Sequence, residues 1–230
     1  MKKLLKVKKL LLIGVLIIIS ISTLPVNAKC SIDNKEVVFN QEKLEKYSSV
    51  FEEMEKSLTI DKKNLENFNV LVLNNGESTK IVTSTIRNDD SAIETVGIIY
   101  SEKSSTSIIG VEETKIVTHA KLFIRTEISK DTNFRGDIII KLSKIEGEVL
   151  ALYDGATVKE IQITAGQGSV FDSNNNRTES FETTGTSYSK SYDWPYMIID
   201  ETQYSYAGHN AVWIIQRGSS TYNERISADY

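Results

Sequence analysis

From Asn69 the hydrophobic period is two and strand signals recur to the C-terminus, and that period excludes most folds open to a chain of 230 residues. The longest run is Thr114–Ile128. It places Ile116, Ala120, Leu122, Ile124 and Ile128 on one face, with His119, Lys121, Arg125 and Glu127 on the other. Such alternation suits a sheet with one dry and one wet side. Asp137–Lys144 repeats it with Ile138, Ile140 and Leu142. Further strands are predicted at Asn69–Leu73, Lys80–Arg87, Ala92–Tyr100, Glu148–Tyr153, Val158–Thr164, Ser169–Phe171, Ser180–Tyr192, Tyr196–Ile199, Gln203–Arg217 and Glu224–Tyr230. Turn residues separate them: Asn74-Asn75-Gly76, Asn88-Asp89-Asp90, a polar loop at Ser101–Ser107, Asp154-Gly155, Gly166-Gln167-Gly168, Asp172–Asn176 and Gly218-Ser219-Ser220. Short strands with no helical run between them predict an antiparallel β-sandwich or barrel. The absence of βαβ alternation argues against nucleotide-binding α/β folds.

A helical period precedes the strands. Leu44, Tyr47, Phe51, Met54 and Leu58 are spaced by three and four, with Glu and Lys between them, and Asn40 is placed to cap the first turn. Two heptads are too few for a coiled coil, so the stripe is expected to pack on the rest of the chain. A short second helix is expected within 59–66. The predicted fold is therefore mainly β, with an N-terminal amphipathic helix. Its organisation is 1–28 signal peptide, 29–67 helical segment and 68–230 antiparallel β domain.

The first 28 residues read as an export signal. Lys2, Lys3, Lys6, Lys8 and Lys9 precede an apolar run from Leu10 to Leu24, then Pro25 and the small-residue site Val26-Asn27-Ala28. The run is short of the about 20 residues that a membrane helix needs. Cleavage is expected after Ala28, giving a secreted product with no stable membrane anchor. Lys29 before Cys30 departs from the small residue that lipoprotein processing needs. The remaining chain has 22 basic and 31 acidic residues, a net charge of −9. That balance disfavours nucleic acid and anionic bilayers, whose binding rests on basic groups. The Lys-, Ile- and Asn-rich usage has a bacterial character.

Reactive constellations are scarce. There is no GxSxG string, and the one cysteine lies beside the expected cleavage site. His119 and His209 are 90 residues apart, read as surface and strand-edge imidazoles, and no HExxH is present. Asp172-Ser173-Asn174-Asn175-Asn176 begins like a calcium loop, but Arg177 and Thr183 stand where such a loop has Gly and Glu. Asp200-Glu201, beside the C-terminal aromatic cluster, is the acid pair singled out for glycoside hydrolysis, and a solvated turn is the plainer reading of it. No metal or other cofactor is called for, and the sequence predicts a non-catalytic protein.

Aromatic residues supply the positive signal. Seven of ten tyrosines and both tryptophans fall within 188–230. Their ring faces stack on sugars while the hydroxyl or N–H reaches a polar partner. Tyr192, Trp194 and Tyr196, around the one proline after Pro25, are the predicted ligand-binding residues, with Trp194 in an exposed turn. The expected function is binding of a cell-surface polysaccharide or protein. The alternative is a toxin or bacteriocin-like, membrane-active protein that uses Ser180–Tyr192 as a hairpin.

Overall fold

The computed structural model describes residues 36–60, 69–72, 79–89, 91–106, 112–199 and 204–230. The expected signal segment, Cys30, the expected Asn74–Gly76 turn, Asp200-Glu201 and most of the expected second helix lie outside the described residues. The chain is mainly β and antiparallel, in two sheets.

β1 (Val37–Val38) precedes two short helices, α1 (Gln41–Lys46) and α2 (Ser48–Ile60). The side chain of Asn40 caps α1, its Oδ1 accepting from Lys43 N at 3.0 Å. The expected single helix is interrupted at Tyr47, whose φ of −104° and ψ of 13° leave the helical region. β2 (Asn69–Val72), β3 (Thr79–Asp89), β4 (Ala92–Thr106), β5 (Glu112–Thr132) and β6 (Ile138–Leu152) form the large sheet in the order β1-β6-β5-β4-β3-β2. β7 (Thr157–Ser169), β8 (Arg177–Thr183), β11 (Ser205–Arg217) and β12 (Ser220–Asp229) form the small sheet in the order β12-β11-β7-β8. β9 (Ser187–Ser191) and β10 (Met197–Ile198) join β1 along the second edge of β6. Neither strand order returns on itself, so no closed barrel forms among the described residues.

Three expectations need correction. The polar loop at Ser101–Ser107 is strand as far as Thr106, because Ser101 through Thr106 pair in register with Val117 through Glu112. The Gly166-Gln167-Gly168 turn is part of β7, with Gly166 and Gln167 paired on both sides and Gly168 with β11. Ser180–Tyr192 is two strands in different sheets: β8 pairs with β7, and β9 pairs with β6.

The centre of the large sheet is buried on both faces. One face shares a core with the small sheet: Ile81, Ile99, Leu122, Ile124 and Val149 meet Ile161, Ile163, Trp213, Ile215 and Ile226. The opposite face receives Tyr47, Phe51 and Met54 from the helical segment against Val82, Val96, Ile98, Phe123 and Leu150. Every residue from Ala92 to Tyr100 is accordingly buried, which is why that strand reads as a nearly continuous apolar run. β12 has one wet face and alternates from Thr221 to Asp229.

If the helical segment is integral to this core, Phe51→Ala leaves a cavity and costs about 3–5 kcal/mol. In urea unfolding, helical circular dichroism and the fluorescence of buried Trp213 should then shift together to lower denaturant. A variant that loses helix signal while Trp213 keeps its transition would show the helices to be a detachable appendage.

Candidate functional site

Past β9 the chain carries Tyr192, Trp194 and Tyr196. Tyr192 is 8% exposed and belongs to the core shared by the sheets. Burial, and secondarily Glu179, pushes its phenol up to about 12. Trp194 is half-buried against the same cluster, its ring 4.3 Å from that of Tyr192. The segment is held by its backbone: Tyr192 N donates to Ser143 O, Gln167 Nε2 to Pro195 O and Asn175 Nδ2 to Tyr196 O. Tyr196 is half-buried, with Lys141 Nζ 5.2 Å from its ring centre. The structure thus brings Tyr192 and Trp194 together as packing residues and sets Tyr196 beside a lysine. Trp194 lacks the exposure expected of it because the sheet-to-sheet crossing lays it on the core.

The calcium-like string folds as a 3₁₀ turn over Ser173–Asn175. Part of its oxygen set is engaged locally. Asp172 Oδ2 accepts from Asn175 Nδ2, Asn176 Oδ1 accepts from Ser169 N, and Arg177 donates to the carbonyls of Asn174 and Asn176.

The outer face of the small sheet offers a different surface. Register fixes its rows across the strands: Ser227, Asn210, Thr164 and Ser180 in one, and Arg225, Val212, Gln162 and Glu182 in the next. On the other side lie Asp229, Gly208, Gly166 and Thr178. Beyond them Tyr206 pairs with Gly168. The Tyr206 ring lies down across β7. A Cβ at Gly168 would stand 2.6 Å from its Cε1, and one at Gly166 would stand 3.2 Å from its hydroxyl. Tyr204, 74% exposed, has its ring 5.8 Å away. Thr164 and Ser180 hydroxyls are 3.1 Å apart. Flat rows of hydroxyl and amide groups beside an aromatic ring can bind a polyol. The signal in the sequence was the Gly166–Gly168 pair, misread as a turn.

Both histidines are buried, not at the surface or a strand edge as expected: His119 is 0% and His209 2% exposed. Ile99 pairs with Ala120 and Tyr100 with Thr118, so His119 is the extra residue of a β-bulge. The bulge breaks the alternation, and the imidazole stacks on Tyr222 of the small sheet with centroids 5.0 Å apart. His209 bonds to two side chains, Thr126 and Tyr188. Thr126 Oγ1 spends its hydrogen on the Ala228 carbonyl at 2.6 Å, so His209 Nδ1–H donates to Thr126 Oγ1 at 2.7 Å. Its Nε2 then accepts from the Tyr188 hydroxyl at 2.7 Å. Burial holds this imidazole down at about 3. With every ring position satisfied and the ring neutral, the chain of bonds fastens one sheet to the other. Glu224 is 2% exposed in the same interior, paired across strands with Trp213. Burial pushes its carboxyl up to about 7.

These two groups tilt stability in opposite directions. Folded Glu224 keeps a proton that the unfolded chain releases above its ordinary value of 4.5, so its contribution is full below that pH and is lost as pH rises through about 7. Unfolded His209 takes up a proton below 6.5 that the folded ring refuses until about 3, so its contribution is full above 6.5 and is lost as pH falls toward 3. Relative to wild type, Glu224→Gln should gain stability steadily from pH 4.5 to 7, and His209→Gln should flatten the acid limb. Urea midpoints measured across pH 3–8 check both. A Glu224→Gln curve parallel to wild type would reject the buried ionisation.

The chain matches no protein-family model, no curated protein and no solved structure.

Proposed function

We propose that this chain is an exported, non-catalytic binding protein whose ligand is a carbohydrate lying on the outer face of the four-stranded sheet. The carrying observation is the Tyr206 ring, laid flat over Gly166 and Gly168 beside rows of Ser, Thr, Asn and Gln. A ring held in that posture presents its face to a ligand without ordering a flexible side chain on binding. The proposal includes a sandwich arrangement of the two sheets, supported by the core they share. It also includes a bacterial cell-surface setting and cleavage after Ala28. Mass spectrometry of the exported protein should find Lys29 at its N-terminus.

A second reading, contact with a membrane, draws on apolar groups left in water. Phe134 tips the β5–β6 hairpin at 92% exposure, and Val170 and Phe171 are exposed next to Tyr204, where Val170 N donates to Tyr204 O. Dye release from liposomes that is abolished by Phe134→Ser would favour it over carbohydrate binding.

Retention on insoluble cellulose, chitin and purified cell walls tests the main reading. Tyr206→Ala should weaken retention about tenfold, or about 1.4 kcal/mol, with little change in melting temperature, while Trp194→Ala should lower the melting temperature. The reverse result would return the site to Tyr192, Trp194 and Tyr196.

A further inference from the structure

The outer face of the small sheet has a strip without side chains, formed by Gly208 on β11 with Gly166 and Gly168 on β7. Two neighbours lie down into it from opposite sides. Tyr206 covers Gly168 and brings its hydroxyl over Gly166. Asp229, on the edge strand β12, folds its carboxylate over Gly208, where a Cβ would collide with Asp229 Oδ1 and with the Ala228 carbonyl. Because Gly208 and Gly166 are a cross-strand pair, their Cα atoms are about 4.5–5.5 Å apart. A carboxylate and a phenol hydroxyl therefore stand side by side over adjacent glycines, with the phenol's own ring as the floor beside them.

We propose that Asp229 and Tyr206 form a two-point clamp for neighbouring hydroxyls of a neutral pyranose unit. This rests on the carbohydrate reading above and adds the class of sugar. A carboxylate only accepts hydrogen bonds and a phenol both donates and accepts, so together they can satisfy two neighbouring hydroxyls of one sugar. Hydrogen bonds to the ionised group are the stronger kind and set the orientation of the ring. Asp229 remains solvent-accessible, and partial burial against the sheet raises its carboxyl, as expected of a group lying on the surface. The local field selects against acids. The rows facing outward carry Glu160, Glu182 and Asp229 with Arg225, so a uronate or phosphate-bearing sugar meets an excess of like charge.

Affinity electrophoresis of the purified protein, lacking residues 1–28, tests the clamp. The gels contain soluble β-glucan, mannan or polygalacturonate, and the melting temperature of each variant is measured alongside. The expected result is retardation by a neutral polysaccharide and none by polygalacturonate. Asp229→Asn should bind at least tenfold more weakly at an unchanged melting temperature, and Tyr206→Phe, which keeps the ring, should bind a few-fold more weakly. Free monosaccharide competing at millimolar concentration would assign recognition to a single unit, whereas failure to compete beside strong polysaccharide binding would assign it to a chain of clamped units. If wild type binds and Tyr206→Ala abolishes binding while Asp229→Asn and Tyr206→Phe leave it unchanged, the clamp is overturned and the stacking surface stands. Equal retardation by polygalacturonate overturns the selection for neutral sugars. If wild type is retarded by no polysaccharide, the carbohydrate reading falls and the clamp with it.

Discussion

Burial of the central strands on both faces is the constraint from which the rest of the molecule follows. An antiparallel sheet with one wet side can leave polar residues on every second position; β4 cannot between Ala92 and Tyr100, because the small sheet covers one face and the helical segment the other. Glu94 and Thr95 are the buried polar residues there, and Glu94 shows how a charge is accommodated. It accepts from the Tyr47 hydroxyl at 2.5 Å and pairs with Lys46 at 3.2 Å and Arg125 at 3.6 Å. A carboxylate out of water is tolerated when partners surround it. Two of the three come from the helical segment, so that segment both covers the apolar face and neutralises the strand beneath. Lys43 extends the arrangement to Glu146 and Glu148 on β6, and Asn40 Nδ2 donates to Glu148 at 3.0 Å.

A second recurring device is the exchange of a side chain on one strand for a ring on its neighbour. Tyr188 lies on Gly147 so closely that a Cβ there would stand 2.5 Å from the ring, and this places its hydroxyl on His209. Tyr206 lies on Gly168 in the same way, but on the side facing solvent. Indoors the arrangement fastens two sheets through a neutral imidazole. Outdoors it leaves a ring flush with a flat polar surface, and that difference in setting separates a packing residue from a candidate binding residue of the same type.

How far the sequence revealed this depends on parity. The alternation of β12 and the stripe of Phe51 and Met54 were legible because each lies on an element that keeps one period throughout. Parity fails wherever the ladder gains a residue. The pairs Lys121–Ala151 and Leu122–Val149 skip Leu150, Glu127–Lys144 and Ile128–Leu142 skip Ser143, and Ile214–Glu160 and Ile215–Val158 skip Lys159. His119 is skipped on β5 itself, so counting by twos through it puts an interior imidazole on the wet face. The candidate site was hidden for another reason. Gly166 and Gly168 carry the local signature of a turn, and only the cross-strand position of Tyr206 shows that the missing side chains make room for a ring. Clustering of aromatics near the C-terminus drew attention to a stretch that includes Tyr206, but composition has no faces, so buried Tyr192 and surface-lying Tyr206 looked alike.

The small sheet also has two strand edges, β8 and β12, with no partner strand among the described residues. Unpaired edges invite strand addition, and charged side chains on the edge or pointing inward from it discourage that pairing. β12 carries both kinds: Arg225 and Asp229 on its open face, and Glu224 turned into the core. β8 carries Arg177, Glu179 and Glu182, with Glu179 paired to Lys190 of β9. An incoming strand at β12 would lie directly beside Glu224 and strengthen the burial that already resists its ionisation. The edges are thus unfavourable docking lines and the rows between them are not. The glycine strip, Tyr206 and Asp229 lie on the flat face between those edges.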